Sequence, residues 1–328
     1  MSPKPKLLLP EEYIKDAVSH IDKASSRIYL LTMIMMYDDT TSDLFDALIR
    51  ASERGVQIEV VGDMFSYMER VGQYRIGMPI RGHLKPLRRL RSRLRRAGVK
   101  FTWLGDKAST IVTSRTHSKW LVVDDIVYSF GGINLFPHGI ASNDYMIRIK
   151  NIGLASALIA EQSRIVRADR RGHAYRSHRI NEGNNTVLID GGLVGGSIIY
   201  KEACHLAKQA RKVTYVSQYC PSGRLAKLLK ATDTTFYFNP ANTAAFLNVA
   251  VIWIASRLSG ITTEYKQDRY LHAKCMIFEL ADGKRVALSG SHNYSNGGVW
   301  LGTREITLRT EDPHIIKLLE KFIATNIT

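Results

Sequence analysis

The sequence predicts an α/β protein composed of two related halves, each a mixed sheet flanked by helices. Three observations favour this fold class. Strand-like and helix-like segments alternate along the 328 residues, hydrophobic residues make up 45% of the chain, and one pattern of polar residues occurs once in each half. The length is sufficient for two packed units of ordinary size. We therefore expect one half in residues 1–175 and the other in residues 176–328.

The first half is expected to alternate between short apolar strands and helices. Strands are predicted at 28–33, within 54–63, at 99–104 and at 120–123, where apolar, β-prone residues form short runs. Helices are predicted at 44–49, 87–96 and 155–164. Leu87, Leu90 and Leu94 lie at i, i+3 and i+7, which is typical of an amphipathic helix, and Gly98 follows its end.

The second half is expected to repeat this arrangement. Helices are predicted at 196–212 and 222–231, and strands at 234–238 and 275–278. The run 213–221 occupies the place of the first strand of the opposite half. Asp282 and Gly283 predict a hairpin turn after the last of these strands, and this turn accounts for most of the longer spacing in the second copy of the polar pattern.

The repeated pattern consists of a histidine, a lysine two positions later, an acid and an asparagine, with a further acid downstream. The first copy comprises His117, Lys119, Asp124, Asn134 and Asp144. The second copy comprises His272, Lys274, Glu279, Asn293 and Glu305. Residues two apart on a strand share a face, so each histidine and its lysine are expected to project into the same space.

These residue types suit a phosphate ester. Lysine and asparagine can hold an anion, histidine can move a proton or attack phosphorus, and an acid in each copy can orient its histidine. Two such sets facing each other would form one pocket. A serine nucleophile at Ser118 or Ser291 is disfavoured because neither lies in a G-x-S-x-G turn. The histidines without a repeat partner, among them His292, are interpreted as surface or packing residues.

The pattern H-x-K-x4-D-x6-G-G-x-N resembles that of the phospholipase D, or HKD, superfamily, and the stretch 27–63 is similar to the opening of bacterial cardiolipin synthases. The second copy departs from the family pattern at Glu279 and in its longer hairpin. The resemblance implies one active site between two halves, with no metal and no cofactor. It also implies that His117 forms a phosphohistidine and that His272 acts first as acid and then as base. Asp144 and Glu305 would each fix the tautomer of one histidine, and Asp124 and Glu279 would be structural.

Three classes of function stay open at this stage. The first is a phosphatidyltransferase of the cardiolipin synthase type, which exchanges one alcohol on a glycerophospholipid for another. The second is a hydrolase, either a phospholipase D or a nuclease, which uses water instead. The third is a binding protein that keeps only the fold. The intact catalytic sets disfavour the third class, and the N-terminal likeness favours the first over the second.

The formal net charge of +16 indicates an anionic partner. Much of the charge lies in two clusters, at 81–96 and 164–179, for which the simplest interpretation is a solvated helix face and a polar linker between the halves. We expect the first to contact an anionic membrane surface or another polyanion through Arg88, Arg89, Arg91 and Arg95. Nucleic acid is the less favoured partner because this cluster has no interleaved aromatic residues.

The remaining sequence features bear on location. The N-terminus shows no signal peptide, and the three cysteines are well separated, as suits a reducing interior. The longest apolar stretch, 244–255, is about half of the ~20 residues that a spanning helix needs, so it is expected to be a buried or an interfacial helix. We therefore expect a cytoplasmic protein attached peripherally to the inner face of the membrane.

Overall fold

The computed structural model describes residues 3–67, 81–106, 114–240 and 260–328. The apolar stretch 244–255 lies outside these ranges. Within them, no helix is both long enough and apolar enough to cross a bilayer.

The first half begins with a short strand and ends with a long helix. Its elements are β1 (Lys6–Leu8), α1 (Pro10–Ile21), β2 (Arg27–Thr32), α2 (Ser42–Glu53), β3 (Gln57–Asp63), a 3₁₀ turn (Met64–Tyr67), α3 (Arg81–Arg96), β4 (Lys100–Leu104), β5 (Trp120–Val123), β6 (Ile126–Ser129), α4 (Pro137–Ala141), β7 (Met146–Lys150) and α5 (Ile152–Arg171).

The second half begins with one additional strand and then repeats this order, without counterparts of α3 and β4 among its described residues. Its elements are β8 (His178–Glu182), β9 (Asn185–Gly191), α6 (Ile198–Gln209), β10 (Ala210–Val216), α7 (Gly223–Lys230), β11 (Asp233–Tyr237), β12 (Cys275–Leu280), β13 (Arg285–Gly290), α8 (Asn296–Leu301), β14 (Arg304–Thr310) and α9 (Pro313–Asn326).

Two mixed sheets are formed, and their strand orders correspond. Among the described residues, the first sheet has the order β1-β7-β6-β5-β2-β3-β4 and the second the order β11-β10-β12-β13-β14-β9-β8. The pair β2–β3 is parallel, as is β10–β11, and the pairs β2–β5 and β10–β12 are antiparallel. Each histidine segment therefore precedes a corresponding central strand, β5 or β12. This places the two copies of the polar pattern at related positions in two related sheets.

The sheets enclose one central hydrophobic core. Inward-facing residues of both sheets pack together with the apolar faces of α5 and α9. A second cluster lies between the outer face of the first sheet and α1, α2 and α3, and a third lies between the second sheet and α6 and α7. Burial of this kind is the main stabilising term in folding, at about 25 cal/mol per Å² of apolar surface. The shared central core fixes the two halves against each other.

The predicted fold class is confirmed, with differences at element ends. The predicted helix 196–212 ends at Gln209, because residues from Ala210 onward pair with β12. The segment 164–179 is not a linker throughout, since α5 continues to Arg171 and ends at Gly172, whose φ of 68° suits glycine. The helix expected at 87–96 begins earlier, at Arg81.

Helix α3 buries its leucine stripe within the protein. Leu87, Leu90 and Leu94 are almost completely buried in the cluster on the outer face of the first sheet. Arg88, Arg89 and Arg95 are exposed. The helix can therefore offer charge to a partner, but its apolar stripe is already used in packing.

Candidate active site

His117 is held against the second half of the chain by its backbone. The backbone N–H groups of His117 and Ser118 donate to the carbonyl oxygen of Arg304, at 2.8 and 3.0 Å. The N–H of Arg304 donates in turn to the carbonyl of Arg115, at 2.7 Å. The segment that carries the first histidine thus lies parallel to the start of β14, and Glu305 follows directly after the residue that accepts its hydrogen bonds.

The second histidine is held in the same way by the first half. The N–H groups of His272 and Ala273 donate to the carbonyl oxygen of Asn143, at 3.0 and 2.9 Å, and the N–H of Asn143 donates to the carbonyl of Tyr270, at 2.8 Å. Asp144 follows directly after Asn143. Each histidine segment is therefore paired with the residue that precedes the acid of the opposite copy.

The acids are consequently exchanged between the copies. Nδ1 of His117 lies 2.9 Å from Oε2 of Glu305, and Nδ1 of His272 lies 2.7 Å from Oδ2 of Asp144. This differs from the expectation that each copy supplies the acid for its own histidine, because the backbone pairing brings the opposite acid into reach. A carboxylate at Nδ1 favours the tautomer with the proton on Nδ1 and leaves Nε2 as the reactive nitrogen.

The two carboxylates are stabilised in their charged form by different donors. The backbone N–H groups of Gly132 and Tyr145 donate to Oδ1 of Asp144, at 3.1 and 2.8 Å. Burial raises the pKa of Asp144, but His272 and the other donors outweigh it and hold the pKa below its usual value. An acid with a low pKa stays ionised and can keep orienting its histidine at neutral pH.

Glu305 accepts hydrogen bonds from side-chain hydroxyl groups instead. The hydroxyl of Thr303 donates to Oε1 at 3.0 Å, and the hydroxyl of Ser291 donates to Oε2. Burial raises the pKa of Glu305, whereas the charge of His117 and the hydrogen bonds lower it, to about 2 overall.

The sequence difference between Gly132 and Ser291 follows from these contacts. A Cβ atom on Gly132 would lie 2.7 Å from Oδ2 of Asp144 and 3.0 Å from Nδ1 of His272. A serine therefore does not fit in the first copy without displacing the acid and the histidine. In the second copy the side chain of Ser291 fits and donates to the longer acid.

Both lysines of the repeat are buried. Nζ of Lys119 donates to the carbonyl oxygen of His117 at 2.7 Å, and Nζ of Lys274 donates to that of His272. Burial lowers the pKa of Lys274 to about 7, which Asp144 and Glu305 oppose and Lys119 reinforces. A phosphate bound nearby would favour the charged ammonium, so the site is suited to receive an anion.

The histidines respond to charges from both halves. Burial lowers the pKa of His272 to about 3, Lys274 and Lys119 reinforce this shift, and Asp144 opposes it. Burial also lowers the pKa of His117, where Glu305 opposes the shift and both lysines reinforce it. Because each imidazole interacts with the lysine of the opposite half, the two polar sets form one site.

The two asparagines of the pattern, Asn134 and Asn293, follow strands β6 and β13. Among the parts of the chain that are described, Oδ1 of Asn134 and Oδ1 of Asn293 are buried without a hydrogen-bond partner. The carbonyl of Asn293 accepts the hydroxyl of Ser217 at 3.0 Å, which fixes its backbone. A buried amide oxygen without a partner can accept a hydrogen bond, whereas an anionic ligand would need the Nδ2 donor of the same amide group.

His292, which the sequence interpretation assigned to the surface or to packing, lies in the interior beside the site. This residue is buried, and its Nδ1 accepts the backbone N–H of Tyr294 at 2.7 Å. Burial lowers its pKa to about 4, an effect that Glu305 opposes and His117 reinforces. Its location next to Asn293, within the second copy of the polar pattern, was the sequence feature that could have indicated a position beside the site.

A buried arginine beside the site was also missed. Arg304 is fully buried and donates to the carbonyls of Ser114 and His173, at 2.6 and 2.9 Å. Its guanidinium also lies 3.5 Å from Oδ1 of Asp169. These contacts fix the start of β14 and thereby the backbone that positions both His117 and Glu305.

The motif acids lie away from the two imidazoles. Asp124 has a φ of 53° and accepts the backbone N–H groups of Ser25, Ser26 and Arg27, so it connects the β5–β6 turn to the start of β2. Glu279 lies on β12, 3.5 Å from Arg211. The arginines of α3, namely Arg88, Arg89, Arg91 and Arg95, lie on the helix that covers the outer face of the first sheet.

The donor set of the site is not one that typically binds a metal. Within the described ranges, no group of three or more histidine, cysteine or acidic side chains is arranged to hold a metal ion. The ammonium and amide groups are donors to an anion rather than ligands of a cation.

Two corresponding halves, each with one histidine–lysine set, meet at a single site, which is the arrangement that the resemblance to the phospholipase D superfamily implies. Residues 17–166 match the family model described as the cardiolipin synthase, PLD-like domain. This range contains the whole first copy of the pattern, from His117 to Asp144. The resemblance found in the sequence is thereby confirmed for the first half, and the second half repeats its fold.

Solved structures support the same fold over nearly the whole chain. The phosphatidylserine synthase of Haemophilus influenzae Rd KW20 is 15% identical, with a TM-score of 0.73, and the match covers 98% of this chain and 86% of that one. The polyphosphate kinase of Porphyromonas gingivalis is 13% identical, with a TM-score of 0.61, and the match covers 97% of this chain and 46% of that one. No curated protein matches the chain in sequence. The chain therefore has the fold of phospholipase D-like enzymes.

Proposed function

We propose that the protein is a phosphatidyltransferase of the cardiolipin synthase type, which acts on glycerophospholipid phosphodiesters through a phosphohistidine intermediate. The observation that carries the proposal is the reciprocal pairing of two histidines with two acids, His117 with Glu305 and His272 with Asp144, around two buried lysines. One imidazole can then act as nucleophile while the other moves protons.

In the first step, Nε2 of His117 attacks phosphorus and forms an N–P bond. The bond between phosphorus and the leaving alcohol breaks, and the alkoxide oxygen takes a proton from Nε2 of protonated His272. Glu305 and Asp144 stabilise the positive charge on the imidazole that each one contacts. In this scheme, Nζ of Lys119 and Lys274 and Nδ2 of Asn134 and Asn293 donate to the equatorial oxygens as negative charge develops there.

In the second step, the acceptor alcohol gives its proton to Nε2 of His272 and attacks phosphorus. The N–P bond to His117 breaks, and the new phosphodiester is released. Both histidines return to their starting protonation states, so the cycle is balanced in protons and needs no cofactor. Division of one displacement into two steps is the usual advantage of covalent catalysis.

Substrate binding would set the protonation states that this scheme needs. Burial and the two lysines lower the pKa of His272 to about 3, so the imidazole is neutral in the empty site at pH 7. A bound phosphodiester carries a negative charge that offsets the lysines and raises the pKa of His272 toward the value a general acid needs. The acid would therefore form only when substrate is present.

The functions of similar proteins support transfer between alcohols. The matched family model is described for cardiolipin synthases, and the solved structure with the TM-score of 0.73 is a phosphatidylserine synthase. The alternative function is a phospholipase D-type hydrolase or a nuclease, in which water takes the place of the acceptor alcohol. The histidine–acid geometry suits both, because His272 can deprotonate water as well as an alcohol.

The experiment that tests the proposal is a product analysis. Full-length protein is incubated with phosphatidylglycerol vesicles labelled in the acyl chains, in which a second phosphatidylglycerol supplies the acceptor alcohol, and in parallel with single-stranded and double-stranded DNA. We expect labelled phospholipid products that depend on His117 and are retained in a His173→Ala control, since His173 is an exposed histidine outside the site. Phosphatidic acid as the sole product would establish the hydrolase, and cleavage of DNA without lipid turnover would establish the nuclease.

A further inference from the structure

Four large hydrophobic side chains form an exposed patch beside the candidate active site. Two belong to the loop between β9 and α6 and two to the end of α8: Leu193, Val194, Trp300 and Leu301, which are 45%, 57%, 65% and 46% exposed. The two segments are joined by a hydrogen bond from the N–H of Gly195 to the carbonyl of Val299, at 2.9 Å. We refer to these four residues as the apolar patch.

The clustering of these residues is more informative than their exposure. Only one other large hydrophobic residue within the described ranges, Ile152, is similarly exposed, at 70%. Single exposed apolar residues are normal at a protein surface, but a contiguous group indicates an interaction site. The apolar patch therefore indicates a surface that a binding partner buries.

The patch adjoins the rim of the active site. The carbonyl of Leu301 accepts the N–H of Ser114 at 3.2 Å, three residues before His117. Thr303, two residues after Leu301, donates its hydroxyl to Glu305. A surface that covers the patch would consequently lie next to the phosphate-binding groups.

A basic groove of about 470 Å³ runs along the other side of the patch, between α6 and α8. Its lining includes the cationic side chains of Lys201, Lys208 and Arg224, all exposed, together with Trp300. The segments 191–201 and 291–304 contain no acidic residue. The nearest carboxylate on α6, Glu202, is buried and paired with Arg179 and Arg309. Asp190, which accepts the hydroxyl of the lining residue Ser197, is buried, and burial raises its pKa to about 7, so it offsets only part of the positive charge of the groove.

We propose that the apolar patch and the basic groove dock the protein on an anionic lipid bilayer. The rings and methyl groups of the patch enter the boundary between headgroups and acyl chains, where Trp is enriched, and the groove receives the phosphates of neighbouring lipids. This inference rests on the proposed function in one respect, namely that the substrate is a bilayer lipid. It assigns the apolar contact to the second half, since the leucines of α3 are buried.

Vesicle sedimentation with the full-length protein tests the surface. Trp300→Ala combined with Leu301→Ala should lower partition onto phosphatidylglycerol vesicles by about tenfold or more, from the apolar surface lost to the bilayer. The matched control is Ile152→Ala, which removes a similarly exposed apolar side chain elsewhere and should leave partition within about twofold. Thermal unfolding of each variant checks that the fold is retained.

The charge of the groove is tested separately. Lys201→Gln, Lys208→Gln and Arg224→Gln together should lower partition onto phosphatidylglycerol vesicles and leave partition onto phosphatidylcholine vesicles unaltered. The control, Lys227→Gln with Lys317→Gln and Lys321→Gln, removes the same number of charges from other exposed positions. An equal loss in the control would overturn the groove as a specific lipid contact.

Other occupants of the patch give different results. Unaltered vesicle partition of the Trp300 and Leu301 variant overturns the proposal. A concentration-dependent dimer that this variant abolishes also overturns it, because the patch would then be an interface between copies of the chain. Loss of oligonucleotide binding with vesicle binding retained would assign the patch to nucleic acid. Turnover of monomeric short-chain phosphatidylglycerol by the unmodified protein is measured in parallel. Absence of this turnover refutes the proposed function, whereas the vesicle experiments still determine whether the apolar patch binds a bilayer.

Discussion

Glu305 lies 2.9 Å from Nδ1 of His117, although 188 positions separate the two residues in the chain. The corresponding pair, Asp144 and His272, is separated by 128 positions. Neither histidine has its orienting acid in its own half, so each half alone carries an unoriented imidazole. The site depends on the packing of the two halves, which the shared central core provides.

Replacement of either acid should impair the histidine of the opposite half. Glu305→Gln keeps the size of the side chain but cannot stabilise an imidazolium at His117, and Asp144→Asn has the same effect on His272. Each variant is expected to lower kcat by about 10²-fold or more. Glu305→Gln should slow formation of the covalent intermediate. Asp144→Asn should lower the rate of this step most for poor leaving alcohols, which need a proton from His272, and least for good ones.

Rapid-quench kinetics with substrates of different leaving groups distinguish the two variants. Glu279→Gln is the matched control, because this acid lies on β12 outside the site, and its activity should stay within about twofold of the unmodified protein. Equal and moderate losses in all three variants would show that the acids act only through stability.

Stability should decrease as the pH falls below neutrality. The folded pKa values of His272 and His292 are about 3 and 4, below the value of about 6.5 for a free histidine, so the unfolded chain binds more protons between these limits. The stability that His272 and His292 contribute is fully present above pH 6.5 and is lost toward the folded values. Asp190, whose pKa burial raises from 3.8 to about 7, opposes part of this loss between these two pH values. Glu305, with a pKa of about 2, contributes further loss below about pH 4.5.

Urea unfolding at several pH values measures this dependence. Each coupled proton contributes at most about 1.4 kcal/mol per pH unit to the slope. His292→Gln should reduce the slope between pH 6.5 and 4, whereas the exposed His173→Gln should not. A slope that is the same in both variants would exclude His292 as a source of the acid sensitivity.

Activity should survive removal of metal ions. The groups assigned to the phosphate are ammonium and amide donors, which act without a Lewis acid. Assays with and without a strong chelator, on protein dialysed against it, should give the same rate. A complete loss that a divalent cation restores would refute the metal-free scheme.

The arginines of α3 should contribute to membrane binding through charge alone. Replacement of Arg88, Arg89, Arg91 and Arg95 by Gln should weaken binding to phosphatidylglycerol vesicles, at about 1 kcal/mol per basic residue near the surface. The effect should disappear at high salt, because the Debye length at physiological salt is only about 8 Å and shortens further as salt rises. An effect that persists at high salt would require an apolar contribution, which the buried leucines exclude.

The repeat allowed much of the fold to be predicted from the sequence. Strands β5 and β12, the hairpin at Gly283 and the helices α5 and α7 follow from short-range patterns of apolar residues and turn residues. The end of α6 was misplaced because strand pairing after Gln209 is a long-range effect. The burial of Leu87, Leu90 and Leu94 likewise depends on a neighbouring sheet, which an amphipathic pattern cannot distinguish from a membrane.

The site was predictable in its residue types but not in its pairings. The repeat identified both histidines and both downstream acids, since the chemistry needs those types at corresponding positions. The exchange of acids depends on the backbone pairing of His117 with Arg304 and of His272 with Asn143, between segments far apart in sequence. The division of the chain at residue 175 stays a prediction, which the corresponding strand orders of the two sheets favour.

The central claim is that His117 carries the covalent intermediate and His272 moves the protons. The most direct test uses the His272→Ala protein with a phosphatidyl ester of p-nitrophenol, a leaving group that needs no general acid. Attack by His117 should then proceed, while resolution by an alcohol or water lacks its base. Peptide mass spectrometry after a rapid quench should find the phosphatidyl group on His117 in stoichiometric amount. Absence of the label from the His272→Ala protein would contradict the account. Labelling of another residue, with the same label found in the His117→Ala protein, would also contradict it.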